Sequence, residues 1–239
     1  MKTKNKILLF TLILPFILVV MVILSINKSF NEVTVPPQTY SEGIDTFTKS
    51  LDLVGFERIS AIGAWNIHLI HDDQFKIEIV APEDMLDELS VEKTGQTLVL
   101  KSKKNTFSLF SMNKRPGINI TLPIISGLDT TGVVNLLISD FSNTETSISM
   151  TGIMNYTAEN CTFDQFSLNG TGILNVSMND TPVTNAHLEY HGGIYNIRMR
   201  MNKGRLSGKL DGLGGMIVSG EVFENSIRVK GPGTMKIVQ

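Results

Sequence analysis

Cysteine is almost absent from this chain. There is one, Cys161, in 239 residues, so neither an intramolecular disulfide nor a cysteine metal cluster can form. Cys161 sits beside Phe163 with no cationic neighbour, which reads as a small buried hydrophobe rather than a reactive thiol. Basic residues are missing from a long stretch: residues 116–197 contain no Lys or Arg. With a formal net charge of only −2, the chain has no electrostatic footprint for nucleic acid, and no such partner is expected. Catalytic signatures are missing too. There is no G-x-S-x-G elbow, no H-E-x-x-H helix and no Walker loop, which excludes the commonest hydrolase, zinc-protease and nucleotide-binding templates. No cofactor is expected.

What the chain does have begins with an uncharged block, "ILLFTLILPFILVVMVILSI", at residues 7–26. Twenty residues at about 1.5 Å rise span about 30 Å, the thickness of a bilayer core. Lys2, Lys4 and Lys6 precede the block, so the positive-inside rule places residues 1–6 in the cytoplasm and the rest outside. The block is longer than a cleavable h-region and ends Ser25-Ile26-Asn27-Lys28, without small residues for a cut site. An uncleaved signal-anchor is therefore expected, making the protein a single-pass membrane protein. Residues 27–53 read as a spacer, with Pro36-Pro37 and no clear period.

Residues 54–123 alternate apolar and polar residues, the signature of strands. "FERISAIGAWNIHLIHDDQFKIEIVAP" predicts a hairpin about "HDDQ". "LSVEKTGQTLVLKS" predicts another about Thr94-Gly95, Pro82 to Leu89 a helical turn or loop, and "GINITLP" a further strand.

Residues 124–239 then repeat. The blocks "GVVN", "GIMN", "GILN", "GIYN", "GMIV" and "GTMK" are marked by Gly132, Gly152, Gly172, Gly193, Gly215 and Gly233. The asparagine column is Asn135, Asn155, Asn175 and Asn196, and an isolated "GAWN" at 63–66 echoes it. A period near 20 with strand-like alternation predicts an all-β solenoid whose coils bury two apolar rows by stacking. Val134, Leu136 and Ile138 are expected to stack over Met154, Tyr156 and Ala158. Glycine suits a tight corner with φ > 0. Asparagine tolerates the same region and can hydrogen-bond up a stack.

The hairpin opening, the "LVLKS" and "GINITLP" strands and the GxxN repeats resemble the head GIN domain, a family also labelled auto-transporter adhesins, over residues 54–239. The resemblance implies a right-handed parallel β-helix in a cell-envelope setting.

Candidate chemistry is sparse. His68 and His71 lie three apart, on opposite faces of a strand, so they do not share a metal. In "HLEYH", His187, Glu189 and His191 share the outward face at about 6.6–6.8 Å intervals. A His-x-Glu pair with a third ligand from a neighbouring coil is the strongest zinc candidate, although an exposed polar face is the simpler reading. Asp140, Glu159 and Asp180 fall at strand ends without the dense spacing of a calcium loop. The early repeats are acidic. The last 47 residues are basic, with Arg198, Arg200, Arg228, Lys230 and Lys236 among them. The expected function is a non-catalytic envelope module that binds a polymer or partner protein, with self-association through a solenoid end as a further possibility. An enzyme acting on envelope polysaccharide is the alternative.

Overall fold

The computed structural model describes residues 46–102, 115–142 and 144–238, all within the second of the chain's two compact units, Pro37–Gln239. Residues 1–6, the apolar block 7–26 and the spacer up to residue 45 lie outside the described residues. Among the described residues no helix is long and apolar enough to cross a membrane.

Ten strands and one helical turn follow in order: β1 (Phe47–Leu51), β2 (Arg58–His71), β3 (Lys76–Ala81), α1 (Glu83–Leu86), β4 (Leu89–Thr94), β5 (Thr97–Ser102), β6 (Gly117–Leu122), β7 (Gly127–Ser139), β8 (Thr144–Glu159), β9 (Phe163–Lys230) and β10 (Gly233–Val238). The fold is all-β. They form one sheet in the order β1-β3-β6-β2-β7-β8-β9-β10, with β5 on β2 and β4 on β5. β9 is a 68-residue run of extended backbone containing several repeats.

The sheet is mixed, not wholly parallel. From β2 onward the repeats pair parallel and residue for residue: Gly63 with Gly132, Gly132 with Gly152, Gly152 with Gly172. At the first end, β1–β3, β3–β6 and β4–β5 are antiparallel. The "GAWN" echo is thus not isolated. It is the first member of the repeat column, joined directly to "GVVN" across 69 residues of sequence.

Three expectations need correction. First, β2 and β3 form no hairpin about "HDDQ". β6 lies between them, parallel to Asn66–His71 and antiparallel to β3. Its alternating Ile118, Ile120 and Leu122 are fully buried, so it adds another rung to the apolar row that a direct hairpin would have left short. The hairpin about Thr94-Gly95 does form, as β4 and β5. Second, the expected spacer 27–53 includes a strand: β1 pairs with β3 from Phe47↔Ala81 to Leu51↔Ile77. Third, Gly215 and Gly233 do not continue the glycine column. A Cβ on Gly212 would lie 2.8 Å from the Gly193 carbonyl oxygen, and one on Gly231 3.0 Å from that of Gly212. Those two residues continue the column because the last repeats shorten. Gly215 faces Thr234 and Gly233 faces Gly214.

The core follows from the alternation. Val134, Leu136 and Ile138 lie opposite Met154, Tyr156 and Ala158, and all six are buried. Leu174 and Val176 come next, and the preceding strands supply Ile148, Met150, Phe166 and Leu168. Each methylene so covered contributes about 0.8 kcal/mol, and no repeat could cover its own rows alone. At the corner, Gly152 and Gly172 have φ of 120° and 122°, where a side chain would meet the carbonyl of the glycine one repeat earlier. The asparagines take no part in this corner geometry. They lie in extended strand, opposite one another. The left-handed region is occupied instead by Asp140, Asn160 and Lys203, with φ of 68°, 56° and 56°.

Candidate functional site

Strand alternation sends every second side chain outward. On the strand before each glycine corner this makes a flat polar face. In one column Glu145 is followed by Gln165, Asn185 and Arg205. In the next, Ser147 is followed by Ser167, His187 and Ser207. Together they line an open groove of about 670 Å³. The columns hydrogen-bond along themselves. Gln165 Nε2 donates to Glu145 Oε1 at 3.1 Å. The Arg205 backbone N–H donates to Asn185 Oδ1 at 3.1 Å. Arg205 also reaches Glu224 through two nitrogens, at 2.8 and 3.0 Å, a bidentate pair that fixes the guanidinium plane.

"HLEYH" lies on this face. Leu188 and Tyr190 point inward and are buried. His187 Nδ1 and Ser207 Oγ are 3.0 Å apart, and His187 Nε2 lies 3.6 Å from Glu189 Oε1. The two candidate ligands therefore meet, but Nδ1 is engaged by a serine. His191 stands apart: its carbonyl accepts from Thr171 Oγ1 at 2.7 Å. Among the described residues no three His, Cys, Asp or Glu side chains are grouped to hold a metal ion.

The order Glu189–His187–Ser207 has the connectivity of a nucleophilic triad. Acyl transfer also needs converging backbone donors for an oxyanion. On an interior strand those N–H groups are taken by the ladder. Glycoside hydrolysis needs two carboxylates flanking the bond, and among its described lining residues the groove holds one, Glu145.

Elsewhere, His68 shares a hydrogen bond with Ser139 Oγ at 3.1 Å. Burial lowers its pKa, partly offset by Glu159 and Asp140. His71 packs edge-on against Phe141. Asn160 donates to Asp140 at 3.0 Å, so one carboxylate of the calcium candidate is engaged by an amide. Cys161 is buried and its Sγ lies 3.1 Å from the Glu159 carbonyl oxygen. Burial pushes the thiol up to about 11, in keeping with a core residue.

Sequence reasoning located "HLEYH" but missed the columns it belongs to. The signal was available in the repeat period: positions 145, 165, 185 and 205 are 20 apart.

Fold and face together define a class: an all-β protein of stacked repeats, with an open polar groove on one side. The chain belongs to the family described as "Putative auto-transporter adhesin, head GIN domain", whose model matches residues 55–238. The fold is similar to a crystal structure of "a putative adhesin" from Bacteroides fragilis, with a TM-score of 0.59 and 18% identity, covering 81% of this chain and 97% of that one. Also similar are a "Putative lipid binding protein" from Parabacteroides distasonis (TM-score 0.47, 19% identity, 83% and 98% covered) and "a putative adhesin" from Parabacteroides merdae (TM-score 0.49, 14% identity, 83% and 98% covered). No curated protein matches.

Proposed function

We propose that this chain is a non-catalytic binding protein of the cell envelope. Its repeats coil as a right-handed parallel β-helix, the hand favoured for crossovers between parallel strands. The apolar block 7–26 anchors it in the membrane, with residues 1–6 cytoplasmic and the β-domain outside. The polar groove grips an extended envelope polymer rich in hydroxyl and amide groups.

One observation carries this reading: serine hydroxyls and side-chain amides recur on adjacent strands along one open groove, with one imidazole, His187, among them. A polymer chain laid along it meets similar partners at each repeat, so weak contacts add up. Membership of an adhesin family supports it. The occupied strand N–H groups weigh against the alternative, an enzyme acting on envelope polysaccharide.

The test is a glycan array probed with the full chain in detergent, beside the variant Asn185→Ala/His187→Ala. Retention of envelope glycans by the native chain and at least about tenfold weaker retention by the variant are expected. Equal retention by both sinks the groove as the site. Release of shortened sugar from the array restores the enzyme reading.

A further inference from the structure

The two ends of the sheet differ. At the first end, α1 and β4 close over the core: Leu86, Leu89 and Val91 are partly buried against it. At the last end, β10 pairs with β9 through Gly233↔Gly214 to Val238↔Ser219, and among the described residues no further strand covers it. Apolar side chains are left in the open there. Phe223 is 88% exposed, and Ile217, Ile237 and Val238 are exposed as well. A recess of about 540 Å³ opens beside them, lined by Val222, Phe223, Asn225 and Ile237 among others. Stacked repeats normally need a polar cap at such an end.

Charge separates the ends further. Glu83, Asp84, Asp87, Glu88 and Glu92 all lie on or beside α1 and β4, against one cation there, Lys93 of β4. The final repeat carries Arg228, Lys230 and Lys236, all exposed. The two carboxylates beside it, Glu221 and Glu224, are paired with Lys203 and Arg205. Pairing of two last ends would set basic against basic, and pairing of two first ends acidic against acidic. Hydrogen-bonded continuation of β10 by β1 is opposed by Lys49. It faces the same side as Phe47 and Leu51, opposite the buried Ile79, the inward-pointing charge that blunts strand edges.

We propose that the chain associates head to tail, the acidic cap formed by α1 and β4 of one copy seating on the open basic end, Val222–Val238, of a second copy. The contact is heterologous: each copy keeps one free end of each kind, so assembly runs beyond the dimer. Like-charged ends fix the polarity, and salt screens the attraction over about 8–10 Å. This inference does not depend on the polymer-binding reading.

The experiment follows the mass of the detergent-solubilised full chain by sedimentation at low and high salt, for four proteins. The native chain is expected to form species larger than monomer at low salt that shrink at high salt. E83K/D84K and R228E/K230E each weaken association at least about tenfold. The variant carrying all four changes restores complementary ends and associates again. If E83K/D84K associates as the native chain does, or if the combined variant stays as weak as the single-end variants, the proposal is overturned. Circular dichroism of each variant confirms that the exposed substitutions leave the strands intact.

Discussion

The side-chain amide of Asn155 donates to Oδ1 of Asn135 at 2.8 Å, and Asn135 donates in the same way to Asn66 at 2.8 Å. Asn135 is thus donor to one repeat and acceptor from the next. Asn135→Ala removes both bonds in a half-buried setting and is expected to cost about 2 kcal/mol. Urea unfolding of the variant beside the native chain gives the value. A change within error would mean that water replaces the ladder.

Gly172→Ala is expected to be far more damaging than Gly95→Ala. Gly172 has φ of 122°, and a Cβ there meets the Gly152 carbonyl. The collision recurs in the middle of the stack, so the cost exceeds about 3 kcal/mol. Gly95 has φ of 59° at the β4–β5 turn with nothing within 4 Å of a Cβ, so it pays only about 1 kcal/mol for the left-handed conformation. Thermal melts separate the two.

Tyr156→Phe is expected to be neutral or to stabilise, by up to about 1 kcal/mol. The Tyr156 hydroxyl is buried without a hydrogen-bond partner among the described residues, and removing such a group relieves its desolvation. Burial also raises its pKa well above the ordinary tyrosine value. A destabilised variant in chemical denaturation would reveal a partner for the hydroxyl.

Stability should fall in alkali because of Cys161. Its thiol is pushed up to about 11 by burial, while the unfolded thiol ionises near 8.5. Between these values the unfolded state has released the proton and the folded state has not, so unfolding gains. The contribution is fully present below about pH 8.5 and is lost as pH rises through about 11. Melting curves from pH 8 to 11 for the native chain and Cys161→Ala test this: the variant should lose less. The folded thiol should also resist alkylation at pH 8.

The repeats were legible because each one meets the same neighbours. Gly152, Met154 and Asn155 occupy the places of Gly132, Val134 and Asn135, so one period discloses many contacts. What failed to show was non-local. Nothing near "HDDQ" says that residues 117–122, more than 40 positions later, will slide between β2 and β3. In "DGLGGMI" three glycines compete for the corner. The one before two apolar residues, Gly215, looked right, yet the shorter repeat selects Gly212. The polar groove was half legible: "HLEYH" stood out by its histidines, while Gln165 and Asn185 look ordinary until their 20-residue spacing is noticed.

Residue-for-residue pairing across the glycine column has a genetic consequence. Excision of residues 152–171 joins Thr151 to Gly172, the same Thr-Gly step the chain already uses at Thr171-Gly172. Gly132 would then face Gly172, Asn135 would face Asn175, and no ladder would be left dangling. Duplication of the same segment keeps the same backbone pairing. The molecule can therefore be lengthened or trimmed by unequal recombination in steps of one strand spacing, about 4.8 Å, while both of its ends remain as they are.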